Sequence, residues 1–173
     1  MKSDRVLALL ASAVALVAAM LAGCSRVEQA PAVSYTLLDG RRSELAALRG
    51  HVVLVNFWST DCAPCVEEMP AMAANWRRFS PQGFETLAVS MSYDPPALVS
   101  NFAQSRALPF GVAIDNTGEI ARRFGDVAFT PTSVLIDKQG RIVKRWVGKT
   151  DFEAIAPLIA ELDGQDQPGQ ARP

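Results

Sequence analysis

The sequence predicts an α/β domain, a central β-sheet flanked by helices. Apolar runs of β-branched and aromatic residues, foremost Val52–Phe57, alternate with stretches of helical spacing. Two further β-rich runs, 132–137 and 141–146, flank Lys138-Gln139-Gly140, the pattern of an antiparallel hairpin. The 173 residues are 49% hydrophobic with a net charge of −1, which suits one domain with a substantial core. No basic excess argues for a nucleic-acid partner.

The elements follow in order. Lys2 and Arg5 precede the apolar run Val6–Met20, which is short and rich in small residues and reads as a secretory signal. Residues 24–34 read as a mobile tether. Tyr35–Leu38 suggests an N-terminal strand closed by the Asp39-Gly40 turn. Ser43 is placed to cap a short helix over Glu44–Leu48, with Gly50 ending it.

Val52–Phe57 is the central strand, and a polar turn leads from it into a helix over 62–79. Pro70 lies inside that helix and predicts a kink. Met69, Met72 and Trp76 share one face, as core residues do. Pro81-Gln82-Gly83 stops it. A second core strand spans 84–91, and a helix over 97–106 puts Leu98, Val99 and Phe102 on one side. A short strand over 110–114, the turn Asp115–Gly118 and a short helix over 119–124 precede the hairpin. Asp151 caps a last helix, 152–162, and the Gln-, Gly- and Pro-rich stretch 163–173 predicts a disordered tail.

The chemistry gathers at Cys62-Ala63-Pro64-Cys65, where the central strand hands over to a helix N-terminus. Free N–H groups and the helix dipole favour negative charge there and lower the pKa of the first thiol. Cys62 is then the attacking thiolate, and Cys65, one turn further in, the resolving thiol. Half of a zinc site is the competing reading, but no second cysteine pair exists and His51 is the one histidine. No metal and no cofactor are expected.

Asn56-Phe57-Trp58, the Cys-x-Pro-Cys, Glu68-Met69-Pro70 and Thr130-Pro131-Thr132 together resemble the TlpA/ResA-like thiol-disulfide oxidoreductases of the thioredoxin superfamily, relatives of the AhpC/TSA redoxins. The resemblance covers 35–162, the expected thioredoxin domain. It implies a thioredoxin fold with a mixed sheet, an extra N-terminal strand, and a strand-helix insert before a cis-proline loop. Leu21-Ala22-Gly23-Cys24 resembles a bacterial lipoprotein processing site. It implies a signal peptide over 1–23, lipidation of Cys24 and a membrane-anchored, extracytoplasmic address. An ordinary cleaved signal, or an uncleaved anchor with Cys24 free, stays open.

Glu68 follows Cys65 by three residues and so shares its helix face, whereas Glu67 points about 100° away, into solvent. Buried beneath Cys65, Glu68 would take up the proton of that thiol, the role the resemblance implies; a solvated helix carboxylate is the alternative. The resemblance also makes the Thr130-Pro131 bond cis, with Thr130 pairing with an extended client segment, against an ordinary trans loop proline. Trp58 is either a lip over the cysteines that touches the client or strand-end packing. Asp61, where many relatives carry an aromatic, opposes a thiolate at Cys62 and makes the dithiol more reducing. His51 reads as structural and Asn56 as a hydrogen-bonded strand residue.

These features predict a monomeric, lipid-anchored protein-disulfide reductase. The resemblance implies apocytochrome c or copper-site cysteines as clients and a membrane thiol reductase as electron donor. Two alternatives stand beside it. A thiol peroxidase would want Thr and Pro where Ser59 and Val55 stand. A Cu(I) metallochaperone suits soft thiolates but lacks a Met or His cluster beside Cys62.

Overall fold

A computed structural model of the chain describes residues 27–164. A five-stranded sheet in the order β5-β4-β3-β6-β7 forms its centre. The strands are β3 (Val52–Trp58), β4 (Phe84–Ser90), β5 (Gly111–Ile114), β6 (Thr132–Ile136) and β7 (Ile142–Val147). The sheet is mixed: β3, β4 and β5 run parallel, while β6 is antiparallel to both β3 and β7. Parallel neighbours need crossovers, and these are the helices α1 (Ala63–Phe79) and α2 (Pro96–Ser105). A short α3 (Glu119–Arg123) precedes β6, and α4 (Phe152–Gly164) closes the described chain.

Every residue of β3 is buried, because both faces of this central strand are covered. Alternation sorts the side chains. Val52, Leu54 and Trp58 face a core with Met69 and Met72 of α1, Val99 of α2, and Ile155 and Ile159 of α4. Val53, Val55 and Phe57 face a second core with Val33, Tyr35, Leu45 and, from α3, Ile120 and Ala121. Phe57 meets Phe124 edge-on at 5.3 Å. α1 is followed by a 3-10 turn over Ser80–Gln82, which ends where Gly83 takes φ 99°, a left-handed turn that glycine enters freely.

The N-terminal expectations are partly corrected. β1 (Ser34–Thr36) pairs with β2 (Arg42–Glu44), so Ser43 lies in a strand and caps nothing; a 3-10 turn over Leu45–Leu48 follows with no side-chain cap. The stretch expected to be a mobile tether is held to the sheet from Glu28 onward. The Ile142 N–H donates to the Glu28 carbonyl at 2.7 Å, Ala30 N–H to Gly140 at 2.9 Å, and Leu45 N–H to Val33 at 2.9 Å. Val33 is buried. This strip crosses one face of the sheet from the β7 edge to the β5 edge, where Leu38 N–H donates to Val112. Val33 and Ala30 pack on the second core, which their composition alone does not announce.

Two smaller differences concern helices. Leu98 is half exposed, and Val99 and Phe102 carry the packing of α2. α4 extends to Gly164, and Lys138 pairs with Asp163 at 3.0 Å, so the first residues of the expected tail belong to the helix. The rest of that tail, the signal segment and Cys24 lie outside the described residues.

Candidate active site

One end of the sheet collects the chemistry. The register sets Trp58 opposite Ser90, Phe57 opposite Thr132, and Thr132 opposite Val147. The turn after β3, the loop after β4, the loop before β6 and the end of β7 therefore emerge together. The turn after β3 leads into α1, with Cys62 as its N-cap.

Cys62 and Cys65 are joined by a disulfide, with sulfurs 2.01 Å and Cα atoms 5.2 Å apart. Cys62 Sγ also accepts from the Cys65 N–H at 3.3 Å, so a free backbone donor of the first helical turn points at that sulfur. Pro64 sits in the same turn, where its missing N–H has no intrahelical partner to lose. The two sulfurs are not equivalent: Cys65 is completely buried, while Cys62 is partly open to solvent. An incoming disulfide can reach only the first.

Glu68 is 2% exposed. Burial pushes its carboxyl above the usual glutamate range, and hydrogen bonds from the Thr150 N–H and the Asn56 amide, both at 3.0 Å, partly offset this. A buried carboxyl with a raised pKa on the helix face of Cys65 is suited to exchange a proton with that thiol. Glu67 lies outside, paired with Lys149 at 2.9 Å, which holds its carboxyl below the usual range.

The Thr130-Pro131 bond is cis. Thr132 Oγ1 donates to the Phe129 carbonyl at 2.7 Å and Gly148 N–H to the Pro131 carbonyl at 2.8 Å, which ties this loop to the end of β7. Trp58 is not a lip over the cysteines. It is 0% exposed and packs on Phe102 at 5.2 Å between ring centroids, so it offers a client no surface. As the last residue of a strand covered on both faces, it has no route outward.

Asp61 is exposed, and its carboxylate accepts from the Ser59 hydroxyl at 2.5 Å. One buried carboxylate escaped the sequence reading. Asp94 accepts from the Thr60 N–H at 2.7 Å, the Thr60 hydroxyl at 2.5 Å and Ser90 Oγ at 3.2 Å. It pins the turn that delivers Cys62. Its sequence context, Asp94-Pro95-Pro96, signals only a helix start, because its partner lies 34 residues away. Phe129 and Val147, 71% and 66% exposed, also stand at this end of the sheet, and no local pattern marks them as surface residues. Among the described residues no cluster of His, Cys, Asp or Glu forms a metal-binding group.

The AhpC/TSA family model matches residues 27–145. Among curated proteins, the chain is 34% identical over 135 residues to the thiol-disulfide oxidoreductase ResA of Bacillus thuringiensis subsp. konkukian (strain 97-27), covering 78% of this chain and 77% of that protein. It is 38% identical over 119 residues to ResA of Bacillus subtilis (strain 168), covering 68% and 65%. Among solved structures it superposes on a thiol:disulfide interchange protein of the thioredoxin family from Chlorobium tepidum TLS. The TM-score is 0.74 and the identity 26%, over 81% of this chain and 99% of the other.

Proposed function

This chain belongs to the AhpC/TSA family and, within it, to the TlpA/ResA-like thiol-disulfide oxidoreductases of the thioredoxin superfamily, and from that premise we propose that it serves as an extracytoplasmic reductant of protein disulfides. The observation that carries this reading is the unequal exposure of the two cysteines, one partly open and one sealed.

In the reduced protein the Cys62 thiolate attacks one sulfur of the client cystine. The client S–S bond breaks, one client sulfur leaves as a thiolate, and Cys62 stays joined to the other. Glu68 takes the proton of the Cys65 thiol, and the Cys65 thiolate attacks Cys62 Sγ. The Cys62–client bond breaks, the second client thiolate leaves, and the Cys62–Cys65 disulfide remains. Two electrons have passed from the dithiol to the client. A membrane thiol reductase restores the dithiol.

Thr130 and cis-Pro131 are the proposed seat of the client, whose extended backbone pairs beside Thr130. Apocytochrome c or copper-site cysteines are the proposed clients. Asp61 favours reduction of the client over its oxidation, because its carboxylate disfavours the Cys62 thiolate. The address rests on the N-terminal sequence: a signal over 1–23 and lipidation at Cys24. No described helix is long and apolar enough to cross a membrane.

Trapping tests the reading. Cys65→Ser should leave clients covalently held on Cys62, releasable by dithiothreitol and identifiable by mass spectrometry. Cys62→Ser should capture none. If Cys62→Ser proves the better trap, the roles of the two thiols are reversed.

A further inference from the structure

Glu68 sits in a closed ring of polar side chains. The Asn56 amide nitrogen donates to Glu68 Oε1 and to Ser133 Oγ, each at 3.0 Å. Thr150 donates its N–H to Glu68 Oε2 at 3.0 Å and its hydroxyl to Ser133 Oγ at 3.2 Å. The four residues come from β3, α1, β6 and the loop before α4, and none is more than 4% exposed. One atom of the ring is left over: Asn56 Oδ1 is buried and has no partner. A buried acceptor without a donor costs stability, so the seat of this amide is set by what its nitrogen does.

We infer that Asn56 is a positioning residue for the thiol-disulfide reaction, its amide nitrogen donating to Glu68 Oε1 and so holding the carboxylate in place to receive the proton of Cys65. This rests on the reading of Glu68 as the proton acceptor of Cys65. Both Nδ2 hydrogens are used, one on Glu68 and one on Ser133, and Ser133 in turn accepts from Thr150, so the donor is braced from a second strand and from the loop that also donates to Glu68. The amide nitrogen supplies two hydrogens without adding charge. Aspartate at 56 would set like charge against Glu68, and leucine would offer no donor.

Two measurements on the reduced protein test this: the NMR titration of the Glu68 carboxyl, and the pH dependence of client release by Cys65 from a Cys62-linked peptide. Asn56→Ala should raise the Glu68 midpoint by about one pH unit, since a bond to a charged group outweighs its neutral counterpart. The midpoint of release should move with it. In the unmodified protein the Asn56 side-chain amide resonances should titrate with Glu68, and in Glu68→Gln they should not. Ser133→Ala should raise the Glu68 midpoint less; if Asn56→Ala does not fold, this variant decides, and an unmoved midpoint overturns the inference. An unmoved midpoint in folded Asn56→Ala, or an Asn56 amide blind to pH, also overturns it. If Glu68→Gln leaves the release profile unchanged, the proton role of Glu68 fails first and this inference falls with it.

Discussion

Glu68 is a carboxylate placed where ionisation is disfavoured, and that leaves a mark on stability. Its ordinary value is 4.5, and the folded protein raises it, mainly through burial. Between the ordinary and the raised value, the folded chain keeps a proton that the unfolded chain has released. The contribution of this group is therefore greatest below about pH 4.5 and is lost as pH rises through the folded-state value. Replacing Glu68 with Gln removes that loss. Urea denaturation of the oxidised proteins should show the stability of Glu68→Gln gaining on the parent as pH rises from about 4 to 8. A difference that shrinks over that range would contradict the direction of the shift. The exposed Asp61 acts on the potential instead. Asp61→Asn should stabilise the reduced form and raise the potential by roughly 10–20 mV, read by glutathione equilibration. Both carboxylates were legible because their spacing from the cysteines places them on or beside the same helix. Asp94 and the Asn56–Ser133–Thr150 ring were not, since each links residues that only the sheet brings together.

At the scale of elements, the strands and helices that carry the site are those the apolar periodicity predicts, with ends shifted by one or two residues. Val52–Trp58, Phe84–Ser90 and Ala63–Phe79 are long and strongly patterned, so tertiary context had little left to decide. The order of the N-terminal strip is not legible in its own residues, because it comes from the partner it lies on. Its three backbone bonds to Gly140, Ile142 and Leu45 and the buried Val33 are all long-range. A chain beginning at Tyr35 gives these up, whereas one beginning at Val27 keeps them. Three backbone bonds at about 1 kcal/mol each and one buried valine go with the strip, so the shorter chain is the less stable. The urea midpoint of the shorter chain should be the lower, both chains being without lipid. Their rates of disulfide reduction by dithiothreitol should agree, because the strip joins β7 at the end away from the cysteines. Equal stabilities would mean the strip is an appendage.

The whole molecule has a direction, set by where the chain joins the sheet. Glu28 meets the start of β7 at Ile142, while Val147, at the other end of that strand, lies across from Thr132 beside the cis-proline loop. Six residues of strand, about 20 Å at 3.3 Å per residue, separate the two ends. Cys24 precedes Val27 by three residues, a reach of about 10 Å at most. A lipid on Cys24 would thus hold the Gly140–Ile142 end toward the bilayer and turn the cysteines away from it, open to clients arriving from solvent. This orientation depends on the proposed lipidation and has a direct optical test. In the lipidated protein on vesicles carrying a headgroup quencher, a fluorophore at the exposed Gln139 should be quenched strongly. One at the exposed Phe129, beside the active site, should be quenched weakly. Removing the lipid should abolish the difference. Equal quenching at both positions would mean that the domain tumbles freely on its anchor, and stronger quenching at Phe129 would mean that the cysteines face the membrane and its resident thiols.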